Sequence, residues 1–292
     1  MSVLVVGAGK MGGFHRDAVR RGKAWSLAGV VDLDPNRLMG LGCAVDCDLE
    51  RALGALRPDA VVVAVPPELH ESIARVCLAH GCHVLLEKPI CPKFQNASRL
   101  ADDFRRAGRV LFGGHSERFH PLFQALRARS AMVGEIVRVE AVRYGPLPER
   151  VSEGGVVMDL AIHDLDLVRR VVGVPLRVEG AEIERIGWTE ARMLAELAWD
   201  GGKALVDAGW RLERQRVLCV TGKRGTLEAD LLGRSLVLRT PCGEEWIKVP
   251  WSDPLEAEQA AFRAACEGMF DAEADLAPQI EAVELAERIL SF

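Results

Sequence analysis

No apolar run in this sequence approaches the roughly 18 residues of a membrane-crossing helix, so a membrane partner is not expected. Basic residues are not in surplus either: 37 Lys and Arg stand against 42 Asp and Glu. The resulting net charge of −5 argues against a nucleic-acid partner, whose phosphates demand a basic face. Cys-x-x-Cys pairs are absent although there are 8 cysteines, which excludes a zinc ribbon and disfavours a disulfide framework. Scattered free thiols fit a reducing cytoplasm. There is no internal repeat and no low-complexity linker. The first strand is expected to start at Ser2, which leaves no room for a signal peptide. What remains is an ordinary globular composition, 49% hydrophobic and 27% charged over 292 residues. A chain of that length buries roughly 75% of its unfolded surface, as one large domain or two smaller ones.

Residues 1–116 alternate short apolar runs with amphipathic stretches. The runs Val3–Val6, Leu27–Val31, Ala60–Val65, His83–Leu86 and Val110–Phe112 are apolar on both faces, which suits parallel strands covered by helices. Helices are expected at Phe14–Arg20, Leu49–Leu56, Leu69–Ala79 and Asn96–Arg106. Strand–helix–strand units of this length form a doubly wound parallel sheet, an α/β Rossmann domain. Residues 117–292 read as an α+β domain: helix Pro121–Ala128, strand Glu135–Tyr144, a Pro-containing loop, then a helix from about Val156 to Val172. A meander follows, with strands at 177–186, 193–199, 203–210, 216–221, 226–229, 236–239 and 246–249, joined by Gly-rich turns. This large, open, mostly antiparallel sheet has little helix to cover it, so a second subunit is expected on its free face. Closing helices begin near Pro254 and Leu276, and residues 254–292 are expected to pack back on the first domain.

Gly7-Ala8-Gly9-Lys10-Met11-Gly12 directly follows the first strand and opens a helix. Gly7 makes the tight turn, Gly9 lets a pyrophosphate approach, and Gly12 permits close helix–strand packing. The helix N-terminus then offers N–H groups and partial positive charge to phosphate. Asp32, at the end of the second strand, can accept both adenosine ribose hydroxyls. The alternative is a glycine-rich turn with a capping aspartate. Asp32 and Asp34 repel a 2′-phosphate and favour NAD over NADP, with Arg37 as the one contrary charge.

Glu87-Lys88-Pro89 ends a strand at the carboxyl edge where doubly wound sheets bind ligands. Lys88 can donate to a substrate hydroxyl there, with Glu87 as its ion partner; a surface Lys-Pro turn is the competing reading. On the helix after Gly154-Gly155, Asp159, His163, Asp166 and Arg170 fall on one arc at 100° per residue. Asp159 and His163 at i and i+4 place a carboxylate beside an imidazole, as general base catalysis requires. A solvated polar helix face is the alternative. Asp164 points to the apolar side and needs a structural partner.

Together these residues resemble the glucose–fructose oxidoreductase, inositol dehydrogenase and rhizopine-catabolism family, known as Gfo/Idh/MocA. The likeness adds Pro66 and His70, His83 to Pro89 as a block, Arg118-Phe119-His120-Pro121, and Val220-Thr221-Gly222 with Gly225. The resemblance implies a Rossmann domain, an open-faced sheet and assembly through that sheet into a homodimer or homotetramer. It implies Lys88, Asp159 and His163 as the catalytic group of an NAD(P)-dependent oxidoreductase acting on a sugar hydroxyl. It places Gly7, Gly9, Lys10, Met11, Gly12, Asp32, Arg37, Pro66, His70, Glu87 and Lys88 around the cofactor. Residues 114–121, 143–146 and 157–166 look like the branch that oxidises the 3-hydroxyl of UDP-N-acetylglucosamine. In that reading Arg118, Arg143, Tyr144 and Arg150 border the substrate, arginines being suited to a diphosphate. Solvated arginines, or arginines paired with neighbouring acids, are the alternative. Tyr144 is the single tyrosine, so branches with a catalytic tyrosine elsewhere match poorly. A dehydrogenase of a free cyclitol or monosaccharide, and a catalytically silent NAD-binding regulator, are the competing functions. No metal is expected: Cys77, His80, Cys82 and His83 crowd together without metal-ligand spacing. Trp199, Trp210, Trp246 and Trp251 read as core or interface packing.

Overall fold

The computed structural model describes residues 1–148, 154–211 and 213–292. These form two compact units, one of Met1–Ser116 with Asp253–Ile280 and one of Glu117–Ser252 with Glu281–Phe292.

The first unit is built on β1 (Ser2–Val6), α1 (Lys10–Arg21), β2 (Ser26–Val31), β3 (Val45–Asp46), α2 (Leu49–Leu56), β4 (Ala60–Val63), α3 (His70–Ala79), β5 (His83–Glu87), α4 (Phe94–Arg106) and β6 (Leu111–Gly114). All pairs are parallel, in the order β3-β2-β1-β4-β5-β6. Val3, Leu4, Val5 and all of Ala60–Val63 have no exposed surface, because helices cover both faces of the sheet. That double burial is why the strands are unbroken apolar runs. The two-residue edge strand β3 escaped the sequence reading, since its pattern is too short to carry a period.

The second unit holds α5 (Pro121–Arg129), β7 (Ile136–Gly145), α6 (Ile162–Val172), β8 (Arg177–Ile186), β9 (Thr189–Trp199), β10 (Gly202–Trp210), β11 (Gln215–Gly222), β12 (Gly225–Asp230), β13 (Ser235–Thr240) and β14 (Gly243–Trp246). Its sheet runs β14-β13-β12-β11-β7-β10-β9-β8. The strands therefore do not form a simple meander: β7 is inserted between β10 and β11, and β10 pairs with it in parallel. The last strand ends at Trp246, where it was expected to begin. One face is buried through Val139, Ala141, Met193, Ala195, Val206 and Val220, while the alternate residues Glu140, Leu194, Leu205 and Cys219 stay at least partly exposed.

The chain closes with α7 (Pro254–Cys266), capped by Asp253 on the Leu255 N–H at 2.9 Å, and α8 (Ala272–Leu290). In the first unit α7 covers one sheet face: Phe262 has no exposed surface and lies 5.1 Å from the Trp25 ring and 5.5 Å from Phe112.

Candidate active site

Beyond the carboxyl ends of β1, β2, β4 and β5 the first unit opens a cleft of about 590 Å³. Gly7, Gly9, Met11, Asp32, Arg37, Pro66, Glu87 and Lys88 all line it. Leu33, Cys47, Leu69 and Ile73 join them without having been singled out in the sequence, since nothing but the fold brings them there. The glycines divide the work as their chemistry predicts. Gly7 has φ +97°, and a Cβ on it would stand 2.3 Å from the Ala64 carbonyl oxygen. A Cβ on Gly12 would stand 1.7 Å from the Gly7 oxygen, so the third glycine is fixed by packing against the loop itself. At Gly9 the nearest atom to such a Cβ is Arg37 Nη1 at 3.7 Å, so a side chain there would take up cleft space. No acid sits in the first turn of α1 and no side chain caps it, which leaves its N–H groups for an anion. These features fit a dinucleotide: open backbone at the pyrophosphate position and a carboxylate at the ribose position.

Asp32 is held by the backbone, accepting the Ala8 N–H at 2.6 Å on one oxygen and the Asp34 N–H at 2.9 Å on the other. Arg37 stands 3.8 Å from Asp32 and 3.6 Å from Asp34, so its charge is already divided between two carboxylates. Lys10 is exposed at the start of α1 and does not line the cleft. His70 does not line it either. Its ring is fully buried, with Nδ1 2.8 Å from the Pro89 carbonyl and Nε2 3.0 Å from that of Val65. Burial pushes its pKa down despite those bonds, and a neutral ring donates to one carbonyl at a time. His70 thus ties the Pro66 loop to the Lys88-Pro89 loop.

In the second unit Asp159 falls in a π-helical turn, Val157–Ala161, where the Ile162 N–H reaches back to the Val157 carbonyl. The expected single polar arc is therefore broken: Asp159 and His163 are half-buried, but Asp166 and Arg170 are buried and paired at 2.9 Å. Trp210 donates from Nε1 to Asp159 Oδ2 at 3.3 Å, a contact that no spacing in the sequence announces.

Two of the three substrate arginines are buried. Arg143 is buried, with Nε and Nη2 donating to Asp164 at 2.7 and 2.9 Å and Nη1 3.4 Å from Glu117. Burial works against its charge, yet Asp164 and Glu117 outweigh it and raise the guanidinium pKa. Its charge is spent within the fold rather than offered to a diphosphate, and Asp164 has found its partner. Tyr144, the next residue on β7, points to the opposite face, as strand alternation requires. Its hydroxyl donates to Asp207 at 2.6 Å beside Arg192, and Arg211 lies 4.6 Å over its ring. Arg143 and Tyr144 therefore cannot line one pocket. Arg118 is 1% exposed, with its guanidinium 4.4 Å from the Phe119 ring centroid. Arg150 lies outside the described residues.

Among the described residues no group of three or more His, Cys, Asp or Glu is placed to hold a metal ion. Cys82 donates to the Pro58 carbonyl at 3.3 Å, and burial pushes its thiol up to about 11, away from the thiolate a metal needs. No described helix is long and apolar enough to cross a membrane.

Comparison with known proteins agrees with this geometry. Residues 1–115 match the model of the Gfo/Idh/MocA oxidoreductase family, described as an NAD-binding Rossmann fold. A UDP-N-acetylglucosamine 3-dehydrogenase of Acidithiobacillus ferrooxidans is 32% identical over 200 residues, 68% of this chain and 61% of that protein. An inositol 2-dehydrogenase of Corynebacterium glutamicum is 26% identical over 194 residues, 63% of this chain and 57% of that one. The alignments thus span about three fifths of these curated relatives. A solved structure of the Acidithiobacillus ferrooxidans enzyme superimposes with a TM-score of 0.91 at 26% identity, covering 99% of this chain and 96% of that one. With its glycine loop and its cleft, the first unit carries the NAD-binding Rossmann fold of the Gfo/Idh/MocA oxidoreductase family, and the chain as a whole is similar to dehydrogenases.

Proposed function

We propose that the chain is an NAD-dependent dehydrogenase that oxidises the 3-hydroxyl of a UDP-linked N-acetylhexosamine. The observation that carries the reading is the single cleft shared by Gly7, Gly9, Asp32, Glu87 and Lys88, which brings dinucleotide-binding elements and an ammonium together in the first unit. The similarity to a UDP-N-acetylglucosamine 3-dehydrogenase supports the substrate class, and inositol dehydrogenases support a free cyclitol as the second reading. NAD is preferred over NADP because Asp32 lines the cleft, Asp34 adds a second negative charge in the same loop, and Arg37 is already shared between them.

A bound nicotinamide supplies a two-electron hydride acceptor. His163 takes the hydroxyl proton as the carbon–hydrogen bond gives up its electron pair, leaving a ketone. Asp159, held by Trp210, orients the imidazole and favours its protonated form. Lys88 donates to the reacting oxygen and stabilises charge developing there. The open face of the second sheet is where a second copy would dock, giving a homodimer or homotetramer.

The test is absorbance in the NADH band with NAD and either UDP-N-acetylglucosamine or myo-inositol. Turnover on the nucleotide sugar, abolished in both Lys88→Ala and His163→Ala with dinucleotide affinity kept in His163→Ala, is expected. Turnover on inositol alone transfers the assignment to the second reading, and unchanged turnover in both variants refutes the chemistry.

A further inference from the structure

His15 lies on α1, three residues beyond Gly12, with no exposed surface. Its Nε2 is 2.8 Å from one oxygen of Glu87, a carboxylate only 6% exposed. The other Glu87 oxygen accepts the Lys88 N–H at 3.0 Å. On the far side of the ring, Nδ1 is 2.9 Å from Nε2 of Gln259, which α7 delivers into the same core. An amide that donates to Nδ1 leaves that nitrogen without a proton and so makes Nε2 the N–H that Glu87 accepts. Oε1 of Gln259 is buried with no hydrogen-bond partner. A half-turn of the carboxamide presents that oxygen to Nδ1, so one residue serves the ring whether neutral or protonated.

A carboxylate this deeply buried needs partners for both oxygens. Glu87 has the imidazole for one and the peptide of the next residue for the other. The Lys88 peptide is therefore held by a side chain that His15 holds in turn. Because α1 begins at the glycine loop, one run of hydrogen bonds joins the phosphate-facing helix to the backbone of Lys88. The charged groups acting on the ring are Glu87 at the end of β5 and Glu258 on α7, and Lys88 acts on Glu87 from the loop after β5.

We propose that His15, with its tautomer set by Gln259, is a positioning residue that fixes Glu87 and, through it, the Lys88 peptide at the edge of the cleft. The inference rests on the reading of Lys88 as a catalytic residue, but the hold on its peptide is independent of which sugar is oxidised.

Exchange of the Lys88 amide hydrogen, read by NMR on the full chain with and without NAD, tests that hold directly. Steady-state rates with NAD and UDP-N-acetylglucosamine test its use. In His15→Ala, Lys88 exchange should quicken about tenfold or more. Its kcat should fall about 10- to 100-fold, while KM for the sugar stays within about threefold. His15→Gln returns an N–H toward Glu87 and should recover most of kcat. Gln259→Leu, which leaves ring and carboxylate in place, should fall between wild type and alanine, and it carries the comparison if His15→Ala does not fold. Unchanged Lys88 exchange in the variant that folds, or a glutamine variant as slow as alanine, overturns the proposal. A wild type that oxidises no sugar overturns the substrate reading alone, and Lys88 exchange still decides for or against the relay.

Discussion

Single residues in this chain are decided by burial more than by type. Arg143 and Arg118 suit a diphosphate on chemistry, yet both lie inside the second unit. Sequence cannot separate a buried arginine from a binding one, because the difference is which strand face it occupies and whether an acid such as Asp164 lies across from it. Removing one partner of that pair strands a buried charge, so Arg143→Met should lower unfolding free energy by about 3–5 kcal/mol in urea titration. Arg143→Met combined with Asp164→Leu should recover much of the loss, since Asp164 is no longer stranded and Glu117 keeps Arg216 at 2.6 Å. On the reading that Asp159 orients His163, Trp210→Phe keeps an aromatic side chain and removes the N–H. A bond to a charged group of about 1.5 kcal/mol corresponds to a fall in kcat of about tenfold with dinucleotide affinity unchanged, measurable at steady state.

The His15–Glu87 pair has a pH signature. Burial pushes the Glu87 pKa up, but the His15 hydrogen bond and charge outweigh it and leave the value lowered. That contribution is present above the ordinary carboxylate range and is lost as pH falls through the lowered value. Burial pulls the His15 pKa down, but Glu87 and Glu258 leave it raised. Its contribution is full below the unfolded value of about 6.5 and is lost as pH climbs through the raised one. The melting-temperature gap between wild type and His15→Gln should therefore peak near about pH 6 and shrink on both sides. A flat gap across that range would show that the pair does not titrate with folding.

At the scale of elements, legibility follows how each segment meets its surroundings. Strands buried on both faces reveal themselves as unbroken apolar runs, and β1, β2, β4 and β5 were placed to within two residues at either end. Helix α6 was expected to run unbroken from about Val156, but a π turn occupies 157–161. No residue pattern marks that insertion; just before it Gly155, at φ +51°, lies close against β9. A Cβ there would sit 2.5 Å from the Glu190 carbonyl oxygen. Gly155→Ala should therefore cost about 2 kcal/mol of stability, read by denaturant midpoint at constant slope. The order of the second sheet was equally hidden, because period-2 patterns report faces and not neighbours.

For the molecule as a whole, the reading of a Rossmann sheet and a second, mostly antiparallel sheet agrees with the structure. The sequence could not show which side chains α7 would deliver: Gln259 stands 244 positions from His15 and Phe262 lies far along the chain from Trp25. A chain ended after Ser252 should lose NAD binding, measured by fluorescence titration, because Trp25 and Phe112 lose their cover and His15 loses Gln259. Light scattering at micromolar concentration should report a dimer or tetramer, and a charge placed at Leu205 on the open sheet face should shift it toward monomer.

Ribosomes release a chain from its first residue onward, so the glycine loop, Asp32 and Lys88 all leave the exit tunnel well before Gln259 does. A nascent chain paused short of residue 259 would carry the glycine loop, Asp32 and Lys88 yet lack the amide that lies 2.9 Å from the His15 ring. On the reading of that loop as the cofactor site, competence of the nucleotide half would come late in translation, once Phe262 arrives to cover Trp25.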